Sequence, residues 1–196
     1  MYNLAIFENK WPIFSRFSFF AFPKGFINQK SIIIGKEMKI AQIGTSFIYD
    51  GISAEIFISG CRHSCKGCQN PLLQDFNYGK EMTIYQILEE IAFRKKWTGI
   101  DSIVLTGGDP LWSEENTHKL ILAIKNEFPE LKIWLYTGFT KEEIDSNRNM
   151  VRIFNLCDVV VTDRYEEKLR FSDKELQGID APRKMAGSSN QRIWKK

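Results

Sequence analysis

Three of the chain's four cysteines, Cys61, Cys65 and Cys68, fall in the stretch Gly60–Pro71, which reads Gly-Cys-Arg-His-Ser-Cys-Lys-Gly-Cys-Gln-Asn-Pro. This C-x3-C-x2-C array constrains the fold more than any other feature. Three metal-ligating thiolates must hang from one irregular loop, and the rest of the chain must hold that loop still. Structural zinc is nearly always closed by four ligands. A [4Fe–4S] cluster held by three cysteines keeps one iron open to another molecule. Read from the residues alone, the array is either such a cluster loop or a zinc knuckle completed by His63, His118 or Cys157. Cysteines clustered this way do not form a secreted disulfide framework, and a cytosolic metal site is the expectation.

The chain has 196 residues, 43% of them hydrophobic, which suits one domain with a substantial core. The net charge of +3 is too small for a dedicated nucleic-acid binder. Residues 1–37 carry five basic and two acidic side chains, so residues 38–196 hold 22 of each and are neutral. The N-terminal segment also holds seven of the 15 Phe residues. Pro12, Arg16, Pro23 and Lys24 interrupt its apolar run, which excludes a membrane span of the length a bilayer requires. It lacks a signal-peptide layout. Gly35-Lys36-Glu37 must be encoded by a purine-rich tract directly before Met38, resembling a bacterial ribosome-binding site. Residues 1–37 are therefore expected to be a poorly ordered extension or untranslated, with Met38 as the start, and residues 38–196 to form the functional domain. A membrane-surface or partner-binding arm is the alternative for that segment.

From Met38 onward strands and helices alternate. Lys39–Tyr49 reads as an extended lead-in and Asp50-Gly51 as a turn. Ala54–Ser59 reads as a buried strand delivering the chain into the cysteine loop. Thr83 and Gln86 form a capping-box pattern before a helix to about Lys96, with Ile84, Ile87, Leu88 and Ile91 on one face. Ser102–Thr106 is the next strand, ending in Gly107-Gly108-Asp109-Pro110. A helix after Ser113 carries Leu120, Ile121, Ile124 and Phe128 inward. Lys132–Tyr136 is a strand closed by Thr137-Gly138. Thr140 and Glu143 cap a further helix predicted to extend to Phe154, and Asp158–Thr162 is the fourth clear strand. Beyond Tyr165 the chain is polar and loosely patterned. Such alternation implies an α/β fold with a mainly parallel sheet. The units are too few for an eight-stranded barrel, so an open, partial β/α barrel is expected. Ligands bind at the carboxyl ends of strands in such sheets, and every candidate motif follows a strand on that rim.

The paired glycines 107 and 108 let backbone come close to a ligand, because neither has a Cβ. Amide and carbonyl groups there are expected to bond the amino group of a cluster-bound amino acid, with Asp109 adding charge. Together with the three-cysteine loop, this turn resembles the radical S-adenosylmethionine (SAM) enzymes. The resemblance narrows with Gly60–Pro71 followed by Asp75-Phe76, Thr106-Gly107-Gly108-Asp109-Pro110-Leu111, Trp134-Leu135-Tyr136-Thr137-Gly138-Phe139 and Gly187-Ser188-Ser189-Asn190-Gln191. In that order they resemble the activating enzymes of anaerobic ribonucleoside-triphosphate reductase. The resemblance implies that Cys61, Cys65 and Cys68 ligate a [4Fe–4S] cluster and form the catalytic centre. It implies that Gly67, Gln69, Gly107, Gly108 and Asp109 contact S-adenosyl-L-methionine. It further implies a cytoplasmic, oxygen-sensitive oxidoreductase whose partner is the glycyl-radical subunit of the reductase. The electron donor would be of the flavodoxin or ferredoxin kind, and neither nucleic acid nor membrane takes part.

Two departures from the family pattern stand out. Gln74 replaces a common Trp. The usual Val-Asp-Gly-Arg-Phe after the fourth strand is here Val161-Thr162-Asp163-Arg164-Tyr165, with the acid displaced by one residue, so Asp163 is given no catalytic role. Gln69 stands where an apolar or aromatic residue is usual, which leaves a backbone contact as its expected role. Cys157, before a Val-rich strand, reads as a small buried hydrophobe. His63 is expected to support the cluster through a hydrogen bond to sulfur rather than to ligate it, and His118 to face solvent. Two rival functions stand beside this reading. One is an activase of another glycyl-radical enzyme, of the pyruvate formate-lyase type. The other is a non-catalytic metal-binding module.

Overall fold

The computed structural model describes residues 37–47, 51–172, 174–175 and 185–196. Residues 1–36, on which the expectations about a docking arm and an untranslated extension fall, lie outside the described residues, as does Asp50 of the anticipated turn. The described strands are β1 (Glu37–Ser46), β2 (Ser53–Ile58), β3 (Lys80–Thr83), β4 (Ser102–Gly107), β5 (Lys132–Tyr136), β6 (Val159–Thr162) and β7 (Arg192–Lys195). The helices are α1 (Ile84–Thr98), α2 (Glu114–Glu127), α3 (Lys141–Asp145) and α4 (Arg148–Leu156).

The strands form one open sheet in the order β3-β1-β2-β4-β5-β6-β7. Only the central strands β2, β4, β5 and β6 run parallel, while β1, β3 and β7 pair antiparallel at the two sides. The central strands are buried on both faces and their sequences show it. Val159–Thr162 is buried at every position, and Ile103, Val104, Leu105, Ile133 and Leu135 are all fully buried. Strands covered on both faces read as continuous apolar runs, which is why the sequence announces them. The flanking strands β3 and β7, four residues each with one and two apolar residues respectively, carry no such signal.

Local chemistry sets the helix ends. Thr83 Oγ1 accepts the Gln86 amide at 3.2 Å and Gln86 Oε1 accepts the Thr83 amide at 2.9 Å, the reciprocal bonds of a capping box. Gly99, at φ 65, closes α1 in the left-handed conformation. The helix predicted to run on to Phe154 is instead two, α3 and α4. Asn147 accepts the amides of Asn149 and Met150 and starts a new helix within the span that periodicity reads as continuous.

The parallel register places the ends of β2, β4, β5 and β6 along one rim, with Ile58 opposite Gly107 and Tyr136 opposite Val161. The cysteine loop, the Gly107–Pro110 turn, Thr137-Gly138 and Asp163-Arg164 leave the sheet there. No helix among the described residues is long and apolar enough to cross a membrane.

Candidate metal centre

The cysteine loop leaves β2 through Gly60, whose φ of 102 suits glycine and whose Cβ position is filled by the Phe76 ring at 2.4 Å. Two backbone bonds pin the loop to the turn of 3-10 helix at Pro71–Gln74, from Gly60 N to Leu73 O (2.8 Å) and from Cys61 N to Gln74 O (3.2 Å). Within the loop the Cys68 amide donates to Cys65 O at 3.2 Å.

The three thiols are half-buried. Burial pushes the Cys61 thiol up to about 11; the His63 amide at its sulfur lowers it, while Asp109, Cys65 and Cys68 add to the rise. Cys65 is raised by burial and then by Cys68, against the pull of the Tyr165 amide and Arg164. The three sulfurs thus feel one another. Metal binding must displace their protons, and the metal's own charge makes that favourable.

The His63 ring is held by a carboxylate. Its Nε2 lies 2.7 Å from Asp109 Oδ2, with both side chains almost fully buried. The same oxygen accepts Thr137 Oγ1 (2.9 Å) and the Gly138 amide (2.8 Å), and Asp109 Oδ1 accepts the Leu111 amide (2.9 Å). His63 packs edge-on to Phe139 with centroids 4.7 Å apart and tilted against Trp112 at 5.6 Å. What His63 offers a sulfur is its backbone amide, 3.5 Å from Cys61 Sγ.

The chain's own backbone supplies a reason for the two glycines. A Cβ at Gly107 (φ 112) would lie 2.6 Å from Ile58 O, and one at Gly108 would lie 2.5 Å from Leu73 O and 2.6 Å from Gly60 O. The close approach they permit is to the chain's own backbone. The turn's amides are also taken, Gly108 N by Ile58 O (2.7 Å) and Asp109 N by Gly60 O (2.9 Å). The Asp109 carboxylate, likewise, is turned into the protein.

The terminal Gly187–Gln191 has a role that composition did not disclose. Gln191 Oε1 accepts the amides of Gly187 (2.7 Å) and Ser188 (3.2 Å), and its Nε2 donates to Asp163 O (3.0 Å). Asn190 Nδ2 donates to Arg164 O at 2.9 Å, and Ser188 Oγ accepts the Glu166 amide at 3.2 Å. The motif is a clasp on the segment after β6, the segment that presents the Tyr165 amide to Cys65. Gln69, exposed, reaches this clasp, its Nε2 lying 3.3 Å from the Cβ position of Gly187. Gly67 (φ 70) lies over Glu167, whose carboxyl carbon would be 2.6 Å from a Cβ there.

Asp163, the displaced acid, has a φ of 80 and holds Arg192 through two bonds of 2.7 and 3.0 Å. It stands where the family pattern has glycine, and its backbone takes the left-handed conformation that glycine prefers. Arg164 makes a two-bond pair with Glu143 at 2.9 and 3.1 Å. Cys157 is buried, donates to Ile153 O at 3.3 Å and has its thiol pushed up to about 12 by burial, as an inert core residue should. His118 is half-buried on α2, in a surface hollow it lines with Glu114, Glu115, Asn149 and Arg152 that includes none of the cysteines.

The donor set fits an iron–sulfur cluster. Three sulfurs share one loop, and each ligates a different iron in a cubane, so they need not converge on a point. Among the described residues no three His, Cys, Asp or Glu side chains converge as one metal ion requires. Ser59 Oγ, just before the loop, and Trp112 Nε1, beside His63, are buried polar atoms with no partner, and both are donors of the kind cluster sulfides accept from.

Residues 50–194 match the family described as "4Fe-4S single cluster domain". The anaerobic ribonucleoside-triphosphate reductase-activating protein of Enterobacteria phage T4 is 32% identical over 74% of this chain and 84% of its own. The protein of that name from Pasteurella multocida is 29% identical over 74% and 89%, and that of Escherichia coli K12 32% over 61% and 79%. The crystal structure of QueE from Escherichia coli superposes with a TM-score of 0.41 at 16% identity over 58% of this chain and 57% of that one, too slight a likeness to carry weight. With three clustered thiols on the rim of an α/β sheet, and similarity running through most of the described domain, the chain belongs to the family of anaerobic ribonucleoside-triphosphate reductase-activating proteins, which carry a 4Fe-4S single cluster domain.

Proposed function

We propose that this protein is a radical SAM enzyme that installs a glycyl radical on an anaerobic ribonucleoside-triphosphate reductase. The observation that carries the reading is the set Cys61, Cys65 and Cys68 on one pinned loop, with no three possible ligands arranged for a single metal ion among the described residues. When bound, a [4Fe–4S] cluster there supplies one electron to the sulfonium of SAM, whose S–C5′ bond breaks to methionine and a 5′-deoxyadenosyl radical that takes a hydrogen atom from a glycine Cα of the partner.

This chain's residues do the holding. The amides of His63 and Tyr165 face Cys61 and Cys65 and lower the charge on sulfur. Arg164 adds positive charge near Cys65. SAM's ammonium donates and needs acceptors. The amides of Gly108 and Asp109 are already bonded and the Asp109 carbonyl accepts the Trp112 amide at 3.1 Å, so the carbonyls of Gly107 and Gly108 are the groups proposed for it. Gly67 and Gln69, within the cysteine loop, are the further groups proposed to contact the ligand. We read the open sheet as a partial barrel whose rim admits a loop of the partner. The soluble, cytoplasmic setting and a flavodoxin- or ferredoxin-like donor belong to the same proposal.

The test is anaerobic reconstitution. About four irons per chain are expected, with SAM cleavage on reduction and a glycyl radical signal when the reductase is added. Cys61→Ala, Cys65→Ala or Cys68→Ala should abolish the cluster, whereas Cys157→Ala should keep it. Stoichiometric zinc with little iron would overturn the proposal.

A further inference from the structure

Asp109 touches no thiol, yet its side chain and that of His63 are among the most buried polar groups of the rim. We propose that the His63–Asp109 pair is a positioning device for the metal centre, holding the His63 amide on Cys61 Sγ and so setting the reduction potential of the cluster bound there. The inference rests on the cluster-holding reading above. A buried carboxylate must have its charge met by donors. Here three rim loops meet it: the cysteine loop through His63 Nε2, its own turn through the Leu111 amide, and the β5 exit through Thr137 Oγ1 and the Gly138 amide.

The imidazole has one place to be. Phe139 and Trp112 flank it, and a Cβ at Gly138 would fall 2.5 Å from the ring. With the ring anchored, the backbone of residue 63 is anchored as well, and its amide stays 3.5 Å from Cys61 Sγ. The next residue, Ser64, sits at φ 51, an unfavourable conformation for a residue with a Cβ, which persists only where the surroundings over-determine it. An N–H···S bond favours the reduced, more negative form of a cluster and raises its potential. A carboxylate that bonds none of the three thiols would thus tune electron transfer through one side chain.

The experiment compares His63→Ala, His63→Gln and Asp109→Asn in the full chain, reconstituted anaerobically with iron and sulfide, by iron content and by redox titration followed by electron paramagnetic resonance. With full iron, His63→Ala and Asp109→Asn are expected to lower the reduced-to-oxidised ratio at the unsubstituted protein's midpoint about three- to tenfold, as loss of one weak bond to a charged acceptor implies. Tenfold corresponds to about 59 mV for one electron. His63→Gln, whose amide nitrogen can reach Asp109, should restore the ratio to within about twofold of the unsubstituted protein. If Asp109→Asn takes up no iron, the two His63 variants decide. An unchanged ratio in His63→Ala with iron intact overturns the inference, as does His63→Gln behaving like His63→Ala. An unsubstituted chain that takes up no cluster would sink the proposed function and this inference with it.

Discussion

A single methyl group at Gly108 tests the account of the rim most directly. In Gly108→Ala the new Cβ would lie 2.5 Å from Leu73 O and 2.6 Å from Gly60 O, against ordinary contact distances of at least 3.4 Å. Neither neighbour can step aside freely. Leu73 O accepts the Gly60 amide at 2.8 Å and Gly60 O accepts the Asp109 amide at 2.9 Å, so a shift loosens the bonds that pin the cysteine loop. Overpacking costs about 1–3 kcal/mol, and weakening two such bonds adds about 1 kcal/mol each. Together these come to about 3–5 kcal/mol. At 2–4 °C per kcal/mol for a domain of this size, the unfolding temperature should fall by roughly 6–20 °C. Calorimetry of the metal-free protein reads that fall, and iron analysis after reconstitution should show cluster content falling with it, because the displaced backbone carries Cys61. A variant that unfolds within about 2 °C of the unsubstituted protein, keeps its iron and loses only SAM affinity would refute the reasoning. It would restore the view that Gly108 is kept small for a ligand.

Two further substitutions probe the segment after β6. Asp163→Ala keeps the strained backbone and loses the pair with Arg192, whereas Asp163→Gly loses the pair but relieves the strain. Urea denaturation should therefore find the glycine variant more stable than the alanine variant by about 1 kcal/mol; equal midpoints would argue against strain at φ 80. Glu142 is held down to about 2 by its bond to Arg192, from an ordinary 4.5. A depressed folded-state pKa contributes stability that is present above about pH 4.5 and is lost as pH falls through about 2. Glu142→Gln should flatten the decline in denaturation midpoint between pH 5 and pH 3, and an unchanged slope would count against the pair, which is exposed to solvent screening.

Much of the fold was legible in the residues because the forces responsible are short-ranged. The capping boxes at Thr83 and Thr140 close within three residues, and the β-branched run Val159–Val161 can only be a strand covered on both faces. The spacing of Cys61, Cys65 and Cys68 singled out the loop as the candidate metal centre, and strand–helix alternation put that loop and three turns on one rim. Other features depended on residues far apart in sequence. Four-residue β3 and β7 become strands only because β1 and β6 offer them open edges. The sequence suggests Asp109 as a charge for a ligand and Gly107-Gly108 as room for one. In the fold, Asp109 joins groups from positions 63, 111, 137 and 138, and the glycines make room for Ile58, Gly60 and Leu73. A motif names the side chains that can do chemistry; which of them face a ligand and which hold the others in place is decided only where distant loops meet and buried charge must find its donors.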